Sequence, residues 1–326
     1  MSKDMYALAC ALGAEVASKE LLPAYVKLLS DAEAETRAAG AKSAAGFCEL
    51  VGAELFTTEV IPMLRELAGD LAQPVRVALS NTVIEFLPKL GKDLSTTHAL
   101  PLIMQFLRDE VQDVRLNVLN KLSAITEVLG EDILLSSLLP AVITLGADQQ
   151  WRVRRAVVEQ MPPLAEMVGA AVFEAKLLPL YFSTFHDVVN SVRTAATSVL
   201  APLAHALGTA WATSRAIPKL KELLDSGGNY LQRITVLYAC KFLLCSDDGA
   251  AMQGELLPIV VTALKDEVPN VRFTAARTCA DICSNVDAAR VTSELLPPIT
   301  ELTKDSDPDV SYFASLALET LSAKGS

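Results

Sequence analysis

A single period runs through the whole chain. Prolines preceded by two apolar residues stand at Pro23, Pro62, Pro101, Pro140, Pro179, Pro218, Pro258 and Pro297, 39 residues apart with one interval of 40. Arginines at Arg37, Arg76, Arg115, Arg154, Arg193, Arg233 and Arg272 share that spacing, as do glycines at Gly13, Gly52, Gly91, Gly130, Gly169 and Gly208. Six residues before the arginines stand Asp31, Asp70, Asp109, Asp148, Asp187 and Asp266, with Gly227 taking that place before Arg233. Unrelated residue classes on one grid mean that one structural unit is repeated. A unit this short cannot bury its apolar faces alone, so it must stack on its neighbours.

The pattern inside the unit is helical. In the third unit a first helix is expected at roughly 98–107, with Pro101 in its opening turn, where a missing N–H costs least. A polar turn, Arg108-Asp109-Glu110-Val111-Gln112-Asp113, follows. Val114, Val118, Leu122, Ile125 and Leu129 then form one apolar stripe of a second helix, and Gly130 is expected to close it as a left-handed C-cap. The apolar fraction of 51% contains only 6% aromatics, so the core is aliphatic and suits helix packing. The expected fold is all-α: a right-handed α-solenoid of about eight HEAT-type hairpins, whose period differs from the ~34 and ~33 residues of tetratricopeptide and ankyrin units. It is expected to be a single domain, 1–326, made of a half-repeat at 1–15 and repeats at 16–54, 55–93, 94–132, 133–171, 172–210, 211–250, 251–289 and 290–326. Residues 5–12 resemble a second helix without its partner, so the chain is expected to begin inside a repeat. Ser311 stands on the arginine grid, as a terminal capping unit would allow.

The Asp and Arg positions predict a staple. Asp lies in the turn and Arg in the first turn of the second helix, so each Arg can reach the Asp of the adjacent repeat.

Charge and chemistry-bearing residues exclude several function classes. The net charge is −11, and neither 1–140 (net −7) nor 141–326 (net −4) is basic, which argues against a phosphate-backbone binder. No long uncharged apolar run suggests a membrane span, and the N-terminus lacks a signal-peptide pattern. A reducing cytosolic or nuclear setting is therefore expected. His98, His186 and His205 form no His-Glu pair or metal-ligand spacing, which argues against an iron hydroxylase built on this kind of repeat. Cys10, Cys48, Cys240, Cys245, Cys279 and Cys283 read as small core residues. No phosphate loop, nucleophile elbow or kinase motif occurs, so no catalytic residue, cofactor or metal is expected.

The turns are the candidates for function, because stacking leaves their side chains free to vary. Turns one to three read as charged or plain. The fourth carries Trp151 and Arg152, residue types common at binding hot spots. The fifth carries Val188 and Val189, the sixth reads Gly227-Gly228-Asn229-Tyr230-Leu231, and the seventh Val268-Pro269-Asn270. Trp151 and Tyr230 could equally fold back onto their own repeats.

These motifs resemble the structural (A) scaffold subunit of the type 2A serine/threonine protein phosphatase, from about residue 5 to the C-terminus. The resemblance is carried by Leu90-Gly91-Lys92-Asp93, Asp109-Glu110 with Val114-Arg115-Leu116-Asn117, Trp151-Arg152-Val153-Arg154, Glu159-Gln160-Met161-Pro162, Asn229-Tyr230-Leu231-Gln232-Arg233, Asn270-Val271-Arg272-Phe273 and Tyr312-Phe313-Ala314. It implies a non-catalytic scaffold that holds the phosphatase catalytic subunit on the turns of its last five repeats. The implied contacts are Trp151, Arg152, Val188, Val189, Asn229, Tyr230, Arg233, Pro269 and Asn270, with Asp309 and Tyr312 in the final turn. Most of the repeats that hold a regulatory subunit in that family are missing from the chain. Ser311 and the Ser226-Gly227-Gly228 turn depart from the family's pattern. The alternative is a general HEAT adaptor for another cargo, which would show long acidic stretches or a peptide groove, and neither is visible in the sequence.

Overall fold

The computed structural model describes residues 2–225 and 229–325, and every regular element among them is a helix. Expectations for Ser226, Gly227 and Gly228 fall outside the described residues. The chain forms an all-α solenoid and divides into two compact units, Met1–Gln160 and Met161–Ser326.

In the first unit the second helices Ala34–Val51, Gln73–Leu94 and Gln112–Leu119 lie side by side, the last continued by Leu122–Leu129 and flanked by Trp151–Glu159. Between them and the first helices lie fully buried Tyr25, Phe47, Phe56, Leu64, Leu79, Phe86 and Phe106. Phe47 stacks on Tyr25 with ring centroids 3.8 Å apart. The Tyr25 hydroxyl donates to the Gly40 carbonyl at 2.9 Å, so the one polar atom of that ring is satisfied. Each such fully buried side chain contributes about 2 kcal/mol relative to exposure.

The second unit repeats the arrangement. Asn190–Ser198, Tyr230–Leu244, Pro269–Ile282 and Pro308–Gly325 pack in sequence, each against the next. Tyr181, Phe185, Leu237, Leu256, Ile299 and Leu321 fill the space behind them.

The structure corrects the expected start of the first helices. In the third repeat the helix does not begin near His98. A break at Gly91 (φ 76°, ψ 173°) separates it from the preceding helix, and it continues through a π-helical turn, Ser95–Ala99, into Leu100–Phe106. Pro101 thus lies well inside a helix. The π turn makes this possible: the Leu100 N–H reaches five residues back to Ser95, widening the turn where the proline ring would otherwise strike a carbonyl. The same turn precedes the proline at 17–21, 56–60, 134–138, 212–216 and 291–295. Gly130 is likewise not a left-handed C-cap. Its φ of 90° and ψ of 165° make an extended corner that ends one helix and starts the next.

The expected staple is present within each unit. Arg37 pairs with Asp70 at 2.7 Å, Arg76 with Asp109 at 2.7 Å and Arg115 with Asp148 at 3.0 Å. In the second unit Arg233 pairs with Asp266 at 2.7 Å and Arg272 with Asp305 at 2.9 Å. Each end of a pair also ties its own turn. Arg76 donates to the Asp70 carbonyl at 2.6 Å, while the Asp70 carboxylate accepts from the Ala72 N–H at 2.8 Å. The Arg37 guanidinium, with help from that N–H, holds the Asp70 carboxyl below its ordinary pKa despite opposing desolvation, and Arg272 does the same for Asp305.

Candidate functional site

The candidate contacts lie where the second helices begin, and each unit presents its own. In the first unit Trp151 opens the helix Trp151–Glu159 and is half-buried. The Arg152 guanidinium sits 4.7 Å from its ring centroid, so cation and ring already shield one another.

In the second unit the turns are brought together at one end of neighbouring helices. Asp187 caps its turn by accepting from the Val189 N–H at 2.8 Å, which leaves Val188 89% exposed at the tip. Asn229 caps the helix Tyr230–Leu244 through its side chain, accepting from the Leu231 N–H at 3.1 Å. Tyr230 follows it at 37% exposure. Pro269 starts the next helix, with Asn270 exposed beside it. Asp309 is exposed in the final turn, its N–H bonded to Asp307 at 3.0 Å, and Tyr312 is 60% exposed one turn later. The Arg233–Asp266 and Arg272–Asp305 pairs hold the last three turns side by side.

Two candidates differ in kind from the rest. Arg233 is buried in the staple, and Val189 is half-buried with its N–H engaged, so both position the turn rather than offer free surface.

Exposed apolar groups also occur outside the candidate set. Leu71 is 99% exposed at the tip of the second turn, one of the turns whose sequence is charged or plain. It follows the grid aspartate directly, as Val188 does, so register was the available signal. Beside the final turn the rings of Phe273 and Phe313 stack at 5.4 Å, with the Arg277 guanidinium 5.2 Å from the Phe313 centroid. Leu316 at 42% exposure extends that patch.

The cysteines fall into two groups. Burial pushes the Cys240 and Cys279 thiols up to about 12 and Cys48 to about 11, as for inert core residues. Cys10 and Cys245 are exposed, contrary to the expectation of core placement for all six cysteines. Among the described residues no cluster of three or more His, Cys, Asp or Glu could hold a metal ion. No single helix among them is long and apolar enough to cross a membrane; Leu122–Leu129 with Glu131–Leu145 has the composition, but the pair is bent by 120°.

Comparison with known proteins finds HEAT-type family models over parts of the chain. Residues 14–91 match a PPP2R1A-like HEAT repeat model, residues 91–209 a PIK3R4-like middle domain model, and residues 256–286 a HEAT repeat model. No curated protein matches the chain in sequence. Among solved structures, importin beta shares 15% identity over 98% of this chain and 42% of its own, with a TM-score of 0.69. Kap121p bound to Nup53p shares 15% identity over 94% of this chain and 34% of its own, at 0.72. Kap95p, described with RanGDP, shares 14% over 99% and 43%, at 0.73. The chain spans less than half of each of these proteins, and at such identity the likeness is one of fold.

Proposed function

We propose that the chain is a non-catalytic scaffold that binds proteins through the turns between its paired helices. The observation that carries this reading is the row of turns in the second unit. Val188, Tyr230, Asn270, Asp309 and Tyr312 are exposed there on a backbone fixed by aspartate caps and Arg–Asp pairs. A fixed backbone lowers the entropy lost on association, and the exposed Tyr side chains are of a type common at hot spots. The proposed role is positional: the stack presents several contacts to one face of a partner and sets where that partner sits in a larger complex. A cytoplasmic or nuclear setting goes with it.

Two partner classes fit this role. The likeness in fold to importin beta and Kap121p favours a general cargo-binding adaptor. The match of residues 14–91 to a PPP2R1A-like model, with the Trp151-Arg152 and Asn229-Tyr230 motifs, favours the catalytic subunit of a type 2A serine/threonine phosphatase. Calorimetry against purified type 2A catalytic subunit and, in parallel, against GTP-loaded Ran separates them. The phosphatase reading expects 1:1 binding of the catalytic subunit alone. It also expects Trp151→Ala and Tyr230→Ala each to cost about 2 kcal/mol of binding. Binding of Ran alone selects the transport-type reading, and unchanged affinity in the double variant removes the turns as the contact surface.

A further inference from the structure

The second unit carries a groove on the face made by its first helices, reaching the Asp187 turn at His186. Leu178, Pro179 and Phe182 form its floor, Ser183 and His186 close one side, and Arg215 and Lys219 rise from the first helix of the next repeat. Its volume is about 430 Å³, within the roughly 300–1,000 Å³ of sites that seat small ligands.

The floor is rigid. Phe182 packs against Tyr181 at 5.2 Å and against Phe185 at 5.6 Å, three rings within five residues of a chain that is 6% aromatic. The Tyr181 hydroxyl is tied to the Ala196 carbonyl at 2.6 Å. The helix then tightens into a 3-10 turn, Thr184–His186, which sets exposed His186 at the rim.

The rim departs from the charge of the molecule. In a chain of net charge −11, the groove lining holds two cations, a histidine and no carboxylate. The clefts lined by Arg76, Arg108, Asp109 and Glu110 and by Arg233, Lys265, Asp225 and Asp266 carry both signs. Arg215 and Lys219 do have acidic neighbours outside the lining, Glu174 at 3.2 Å and Glu222 at 2.6 Å. Each pair has one exposed member, Arg215 or Glu222, and one half-buried member, Glu174 or Lys219; pairs this open to solvent are worth about 1 kcal/mol, so a ligand carboxylate can compete for the cation.

We propose that this groove binds a linear peptide segment of a partner protein in which a bulky apolar side chain is flanked by carboxylates. The apolar side chain lies on Leu178, Pro179 and Phe182, and its acidic neighbours meet Arg215 and Lys219. The site adjoins the Asp187 turn at His186 but its cations, Arg215 and Lys219, belong to the first helix of the next repeat, so charge reversal there leaves the turn residues themselves unchanged.

A random dodecapeptide library displayed on phage, selected on the full chain, tests this directly. The same selection on the Arg215→Glu/Lys219→Glu chain is the control, with circular dichroism confirming its fold. The expected result is enrichment of peptides that place Phe, Leu or Trp beside Asp or Glu, lost on the charge-reversed chain. A fluorophore-labelled peptide of the enriched sequence should bind about tenfold more weakly to that variant and more weakly still as salt rises. Ser183→Trp, which fills the groove from an exposed position, should abolish binding. Selection without an acidic-apolar pattern, or peptides that bind the parent and both variants equally, overturns the proposal. The charge-reversed chain should keep any binding made through the turns.

Discussion

Arg76 makes four polar contacts at once. Its guanidinium meets both carboxylate oxygens of Asp109, the Glu110 carboxylate and the Asp70 carbonyl, and the Arg76 and Asp109 side chains are only 8% and 6% exposed. Truncating it leaves a shielded carboxylate without its cation. Arg76→Ala should therefore lower stability by about 2–3 kcal/mol, read from the urea midpoint. Lys89, whose partner Glu49 is 65% exposed, should cost less than about 1 kcal/mol when changed to Ala, and equal losses would refute a structural staple. The staple also fixes a pH response. The carboxyls of Asp70 and Asp305 titrate below the ordinary carboxylate value in the folded chain, so on acidification the unfolded chain takes up protons first. Their contribution is complete above about pH 5 and is lost as pH falls through about 4 toward the depressed folded values. Urea midpoints at neutral and acid pH should diverge less for Asp70→Asn than for the parent, and identical divergence would remove Asp70 from the account. These pairs were legible in the sequence because a 39-residue grid with a six-residue offset puts partners 33 apart, the separation observed. The double duty of Arg233 was less legible: motif resemblance marked it as a contact, but burial is a property of the folded stack.

At the scale of the helix, the sequence showed that there are two per repeat but misplaced where the first begins. A proline is cheapest in an opening turn, so the helix was expected to start there. The chain instead turns a corner at glycine and carries the proline inside, over a π turn that no residue pattern announces. The corner depends on backbone freedom. At Gly169, with φ 72° and ψ 169°, an added Cβ would meet no neighbour within 4 Å, so any penalty there is conformational rather than steric crowding. Gly169→Ala should cost about 1–3 kcal/mol. Gly254 provides the contrast. It is exposed within the helix Gly249–Ala263, and its added Cβ would make only an ordinary contact with Arg290 at 3.7 Å. Gly254→Ala should raise stability by about 1 kcal/mol, so thermal melts of the two variants should shift in opposite directions.

For the whole molecule, bonding between repeats is local. The interactions described between neighbouring repeats span 32 to 43 residues, about one repeat length, as in Gln253 with Asn285 and His205 with Asp248. This is why the period alone disclosed the fold class: each unit's environment is another copy of itself. The division into two compact units was not legible, because the residue grid runs through Gln160 without interruption. The partner was legible only as a set of exposed turns, since the surface they complement belongs to another molecule. Locality makes a last prediction. Lys324 donates to the carbonyls of Cys283, Ser284 and Val286 at 2.5, 2.8 and 2.7 Å, and the helix Pro308–Gly325 covers the helix Pro269–Ile282. Deleting 287–326 bares those carbonyls and part of an apolar face, but it removes no contact among the earlier helices. The shortened chain should keep a cooperative thermal transition at a lower midpoint, and its helical circular dichroism signal should fall in proportion to length, by about one-eighth. Loss of helical signal across the rest of the chain would mean that stability is pooled over the molecule instead of being built repeat by repeat.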